Sequence, residues 1–163
     1  SFPIVTAVNG PAAGVGMSLA LTGDIVMASD TAYFLQAFAK IGLVPDGGAT
    51  WYLPRLIGWG RAMELSMLAE RLPASEALSW GLVNRVVPEA ELAAASMAMA
   101  QRLASGPKSL GLIRKAYWAS WENDFNKQMQ LEADLQTEAH ASADNREGVA
   151  AFLEKRPPVF TGE

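Results

Sequence analysis

Cysteine is absent from this chain. Without thiols there is no disulfide, no cysteine nucleophile and no thiolate metal site, and the composition fits a protein of the reducing cytoplasm. Histidine is nearly as scarce. His140 stands alone between Ala139 and Ala141 in a late helical stretch, where it reads as an exposed or satisfied residue. No histidine-based triad is in prospect, and no ligand cluster suggests a metal. Charge is sparse as well: 18% of residues are charged, and the 13 basic and 17 acidic ones form no block of either sign and sum to a formal net charge of -4. A nucleic-acid partner is therefore not expected. No run reaches the roughly 18 apolar residues of a membrane helix, and the sequence opens without the charged region of a signal peptide. The expectation is a soluble, cytoplasmic protein with no membrane partner.

What is there is an ordinary globular composition, 50% hydrophobic over 163 residues, enough for one domain with a sizeable core or for part of a larger one. The opening SFPIVTAVNG reads as a start inside a domain. Pro3 to Val8 is a non-alternating apolar run closed by Asn9-Gly10, which predicts a strand buried on both faces. A glycine loop with Gly14 and Gly16 follows, then a small-residue helix over Met17 to Leu21. Asp24 to Ala28 and Thr31 to Gln36 read as short strands separated by Ser29 and Asp30. Helical spacing covers Thr50 to Ile57 and Arg61 to Ala69, the latter with Met63, Leu65, Met67 and Leu68 as apolar contacts. Ser75 to Trp80 is a short helix stopped at Gly81, Leu82 to Val87 a lone strand, and Glu89 to Ala104 a long helix ending before Gly106-Pro107. Gly111 to Trp121, Phe125 to Ala141 and Asn145 to Glu154 complete a helical last third. Asp144 followed three residues later by Glu147 suggests a capping box for the final helix. The pattern places the chemistry early and a packing or assembly surface late.

Two stretches could carry chemistry. Gly14-Val15-Gly16 opens a helix, so its backbone can approach a ligand closely and its free N–H groups can face an oxyanion; a tight turn for strand-helix packing explains the same glycines. Neither GxxxxGK[ST] nor the third glycine of a dinucleotide fingerprint is present. Asp46, in VPDGGATW, is one acid in a nearly apolar stretch. It is either the N-cap of the helix that follows or a carboxylate facing an apolar cavity lined by residues such as Phe38 or Trp51, where desolvation would tune it for proton transfer. Trp118 and Trp121, at i and i+3, read as core or interface residues, and Lys155-Arg156 as a solvated helix end.

The motifs AVNGPAAGVGMSLALTGDIVMA, FLQAFAKIGLVPDGGATWYLPRLIG, ERLPASEALSWGLVNRVV and REGVAAFLEKRPPVF, in this order across essentially the whole chain, resemble the enoyl-CoA hydratase/isomerase, or crotonase, superfamily. IGLVPDGGATWYLPRLIG is most similar to its 1,2-epoxyphenylacetyl-CoA isomerase-like members. The resemblance implies an α/β fold: a spiral of ββα turns over residues 1–105, lacking its N-terminal part, and a C-terminal helical trimerisation region over residues 106–163. It implies a homotrimer or hexamer, an acyl-CoA thioester as partner, coenzyme A as part of the substrate and no permanently bound cofactor or metal.

It also implies a reaction. The family holds the thioester carbonyl between two backbone N–H groups so that charge can move onto oxygen. One donor maps onto Gly14-Val15-Gly16, with Val15 central, and the other lies before residue 1. Hydratases of the family use two glutamates, at positions held here by Ser18 and Phe38, so isomerisation is favoured over hydration. Asp46 matches the aspartate of the family's dienoyl-CoA and epoxide isomerases, with Met17, Phe38 and Trp51 shaping an acyl pocket. Asp46 as a nucleophile, as in the family's dehalogenases, would need a tryptophan where Phe38 stands. The alternative class is a fragment or degenerate, non-catalytic subunit acting in binding or assembly.

Overall fold

A computed structural model describes residues 2–163 and divides them into two compact units, Ile4–Met99 on the one hand and residues 2–3 with Ala100–Glu163 on the other. The first unit begins with β1 (Val5–Val8), β2 (Pro11–Ala13) and helix α1 (Val15–Ala20). It repeats the order with β3 (Ile25–Ser29), β4 (Tyr33–Leu35), a 3-10 turn (Ala37–Ile41) and helices α2 (Ala49–Ile57) and α3 (Trp59–Leu68). β5 (Leu72–Pro73), α4 (Ala74–Trp80), β6 (Arg85–Val87) and α5 (Glu89–Ala104) follow. Successive strands feed two different sheets. One is parallel, in the order β1-β3-β6; the other runs β2-β4-β5, with β2 parallel and β5 antiparallel to β4. Two ββα turns are thereby stacked, as in a crotonase-like α/β fold.

Several expectations change. The strand covered on every side is the central β3, in which Val26, Met27, Ala28 and Ser29 are all buried; β1 lies at the sheet edge with Ala7 exposed. An apolar run without alternation marks a strand of the interior but does not say which flank carries a neighbour. PAA, read as loop, is strand β2. The strand sought over Leu82 to Val87 contracts to Arg85–Val87 and is not alone, since it pairs with β3, while Leu82 and Val83 enter the core. Asn84 extends that pairing: its Oδ1 accepts from Val26 N at 2.7 Å and its own N–H donates to Val26 O at 2.8 Å. Of the four apolar contacts expected on α3, Leu65 is buried, Met63 half-buried, and Met67 and Leu68 exposed.

The first unit's core gathers α1, both sheets and α2 to α4 around Phe34, Met17, Leu53 and Leu72. Close approach at the crossings needs small residues. Gly23 runs so near β1 that a Cβ there would collide with the Thr6 side chain. The second unit contains α6 (Ser109–Ser120), α7 (Phe125–His140) and α8 (Ala143–Glu154). Asp124 caps α7, accepting from Lys127 N at 2.9 Å. The expected capping box on α8 does not form: Ser142 is the cap, accepting from Asn145 N at 3.0 Å, and Asp144 and Glu147 are engaged elsewhere. A hydroxyl two residues upstream begins the helix earlier than the acid pattern suggested.

Candidate active site

The site is built where β2 passes into α1. Gly14 adopts φ 53 and ψ -126, a conformation that excludes a residue with a Cβ. From there its carbonyl accepts from Met17 N at 3.0 Å and Ser18 N at 3.2 Å, starting the helix. Its own N–H donates to Leu35 O at 2.8 Å, joining β2 to β4. The Gly14 N–H is thus engaged within the fold, which leaves Val15 and Gly16 of the three residues onto which the expected oxyanion donor maps. Val15 and Gly16 are the first two residues of α1, positions whose N–H groups have no acceptor within a helix. Both residues are exposed.

The 3-10 turn brings Phe38 against this point. Its ring lies 3.5 Å from where a Gly14 Cβ would be, and the side chain is 9% exposed. The chain then leaves through Gly42 at φ 70 and reaches Pro45-Asp46-Gly47-Gly48. Gly47 at φ 59 and Gly48 at φ 86 turn it into α2. This loop is fastened to α1. Ser18, fully buried, donates its Oγ to Asp46 O at 2.8 Å, and Gly47 packs so closely that a Cβ would stand 2.9 Å from Ser18 Cβ and 3.2 Å from Val15 Cγ2. Asp46 and the start of α1 are therefore held together by backbone and by one hydroxyl.

The two explanations of Asp46 both need revision. It is not the helix cap: Gly48 occupies that position, no side chain bonds there, and the Asp46 carboxylate accepts no hydrogen bond among the described residues. Nor is it enclosed by apolar walls, because Asp46 is exposed and its neighbours Leu43 and Val44 are 58% and 80% exposed. Two consecutive left-handed glycines carry the turn without a side-chain acceptor, leaving the carboxylate at liberty.

The expected acyl pocket is not assembled from its three residues. Met17 is fully buried in the core and seats α1, so it lines no open space. Trp51, half-buried, lies under the Arg55 guanidinium, 3.6 Å from its ring centroid. An apolar cavity of about 490 Å³ does open beside the loop, lined by Leu43, Val44, Pro45, Leu53, Trp59 and Met63 among others, and none of Met17, Phe38 and Trp51 borders it. Sequence reasoning passed over Ser18 and Gly47 as constructive residues. Their partners lie 28 and 29–32 residues away, beyond any local signal. Among the described residues no helix is long and apolar enough to cross a membrane and no group of three or more His, Cys, Asp or Glu could hold a metal ion.

Comparison with known proteins identifies the family. The family model described as enoyl-CoA hydratase/isomerase matches residues 1–163. The chain is 49% identical over 162 residues to the 1,2-epoxyphenylacetyl-CoA isomerase of Escherichia coli K12, covering 99% of this chain and 62% of that protein. Among solved structures it resembles an enoyl-CoA hydratase subunit I of Geobacillus kaustophilus, with a TM-score of 0.95 and 41% identity over 99% of this chain and 63% of the other. It also resembles an enoyl-CoA hydratase/isomerase of Cupriavidus metallidurans, with a TM-score of 0.92 and 40% identity over 98% and 61%. The chain spans about three-fifths of the length of these relatives, and throughout that span it belongs to the enoyl-CoA hydratase/isomerase family.

Proposed function

We propose that this chain carries the acid/base half of an acyl-CoA isomerase. Asp46 takes a proton from one carbon of the acyl chain and returns it to another, while the Val15 N–H, with Gly16 beside it, stabilises the thioester oxygen as the enolate forms. The observation that carries this reading is the fastening of the Asp46 loop onto α1 through Ser18 Oγ and Gly47, which holds the Asp46 backbone against the helix that begins with Val15 and Gly16. Carboxylates are missing at Ser18 and Phe38, where the family's hydratases have theirs. A single exchangeable carboxylate suits transfer of a proton within one substrate and needs no activated water. The isomerase name of a relative at 49% identity supports the same choice.

Coenzyme A enters as part of the substrate, and Phe38, packed over Gly14, forms the apolar floor beside the reacting carbons. The reading extends to acyl-CoA turnover in phenylacetate or fatty acid degradation in the cytoplasm, and to a trimer or hexamer assembled through the helical second unit. In the full-length protein, Asp46→Asn is expected to lower isomerisation by roughly 100-fold or more while leaving unfolding and CoA binding unchanged. Turnover within a few-fold of the parent, measured on a panel of enoyl-, dienoyl- and phenylacetyl-derived CoA thioesters, would sink the role given to Asp46.

A further inference from the structure

A buried carboxylate with several hydrogen-bond donors lies outside this site. Asp144 is 3% exposed at the start of α8. Its Oδ1 accepts from Thr161 N at 2.7 Å and from Thr161 Oγ1 at 3.4 Å. Its Oδ2 accepts from Gly162 N at 3.0 Å and from Lys108 N at 2.8 Å, and its own N–H donates to Glu163 O at 3.1 Å. One carboxylate therefore holds both the end of the chain and the residue that precedes α6.

The segment after α8 has little else to hold it. It leaves the helix through Lys155 at φ 56, a left-handed conformation that a side chain disfavours, and turns again through Gly162 at φ 82. From Arg156 to Glu163 every residue is exposed except Phe160, which rests against Gly148 with its ring 3.6 Å from where a Cβ there would be. A second polar hold lies upstream, where Glu147 accepts from Arg156 NH1 at 2.6 Å and NH2 at 3.0 Å and from Val159 N at 2.8 Å. Phe160 and Asp144 together border a small cavity of about 200 Å³ whose other walls include Pro107, Ser109 and Ala139. A segment that half-buries one ring and is otherwise retained by the carboxylates of Asp144, Glu147 and Glu154 differs in kind from one anchored by a core.

We propose that residues 156–163 form a strap latched by Asp144, which opens as one piece without unfolding α8. Gly162 N and Lys108 N bond to the same Oδ2, so the strap and the start of α6 rest on a single acceptor. Opening would uncover the cavity beneath Phe160.

Hydrogen exchange on the full chain, read amide by amide by NMR, tests the proposal. Asp144→Asn has one acceptor oxygen and one amide donor where the parent has two acceptors, and neither orientation satisfies N–H groups on both sides. Exchange at Thr161, Gly162 and Lys108 is expected to accelerate together, by roughly 100-fold, while the α8 amides from Val149 to Leu153 change by less than about threefold. Equal acceleration of strap and α8, or an unchanged strap, overturns the proposal. Should Asp144→Asn fail to fold, the unsubstituted protein decides the matter in low denaturant. Strap amides that exchange through an opening of smaller denaturant dependence than those of α8 support the latch, and identical dependence overturns it.

Discussion

The two units of the chain are stabilised by different physics. In Ile4–Met99 the sheets and α1 to α4 enclose a continuous cluster that includes Phe34, Met17, Leu53, Leu65 and Leu72, each at most 4% exposed. In Ala100–Glu163 no residue of α6 is buried, α7 buries only Leu135, and α8 only Asp144 and Ala151. Six of its large apolar side chains, Ile113, Tyr117, Phe125, Met129, Phe152 and Leu153, are 50% to 82% exposed. What fixes local structure in the helical unit is polar: the Asp124 and Ser142 caps and the bonds to Asp144 and Glu147. The proposed chemistry lies on the unit with the rigid core. Under the proposal above, the helical unit would carry the contacts of the trimer or hexamer.

The comparison is most directly broken in the core. Phe34→Ala, at a fully buried position, is expected to cost about 3–5 kcal/mol. Tyr117→Ala, at a side chain 72% exposed, should fall within about 0.5 kcal/mol in a monomer. Denaturant midpoints at low protein concentration read both. If Tyr117→Ala approaches the cost of Phe34→Ala, and does so only at concentrations where the protein assembles, then the helical faces are covered by other copies.

Much of this division was visible in the residues. The small side chains around Gly14, the turn signals at Gly81 and Gly106-Pro107, and the period of α5 mark their elements because each is a local preference. β2, β5 and the 3-10 turn were not visible, because two or three residues such as Leu72–Pro73 have no period and become strands only by pairing with β4. The site divides along the same line. Gly14-Val15-Gly16 as a helix start and Asp46 as an isolated acid can be seen in the sequence. The diversion of the Gly14 N–H to Leu35 O depends on how β2 and β4 align, and the exposure of Asp46 on the two left-handed glycines. Asp144 misled for a related reason. Its spacing to Glu147 imitates a capping box, while its real partners at Lys108 and Thr161 are 36 and 17 residues away.

The link between core and site is sharpened by two substitutions at the Asp46 loop. Gly47→Ala adds a Cβ against Ser18 and Val15 and strains a backbone at φ 59, so a loss of about 2 kcal/mol is expected. Isomerisation should fall along with it, because the loop must lift from α1 to make room. Ser18→Ala is gentler. It removes the hydroxyl that reaches Asp46 O and leaves that part-buried carbonyl with the Ala49 N–H as its donor, a cost of about 1 kcal/mol. Turnover should drop roughly tenfold through misplacement of the carboxylate, with little change in KM. A Ser18→Ala protein that loses stability yet keeps full kcat would separate the loop's anchoring from the chemistry.

The smallest effect is expected from pH on the helical unit. The Arg156 guanidinium, followed by the Val159 N–H, holds the Glu147 carboxyl down at about 2 from an ordinary 4.5, and the same contact raises Arg156 further above its usual range. For Asp144 the Thr161 N–H is the chief cause of a lowered pKa, joined by those of Lys108 and Gly162 and opposed by burial. A depressed folded value means that the contribution of Glu147 is complete above about 4.5 and lost as pH falls towards about 2. Protection of the Val159 amide, corrected for intrinsic exchange, should therefore be level above pH 5 and decline through that window, while amides of Leu53 and Phe34 in the first unit hold. Glu147→Gln cannot lose a charge there, so its Val159 protection should start low and stay flat. A decline of equal steepness in that variant would assign the acid response to Asp144 instead, because the strap and the polar contacts around it would then answer to the buried carboxylate alone.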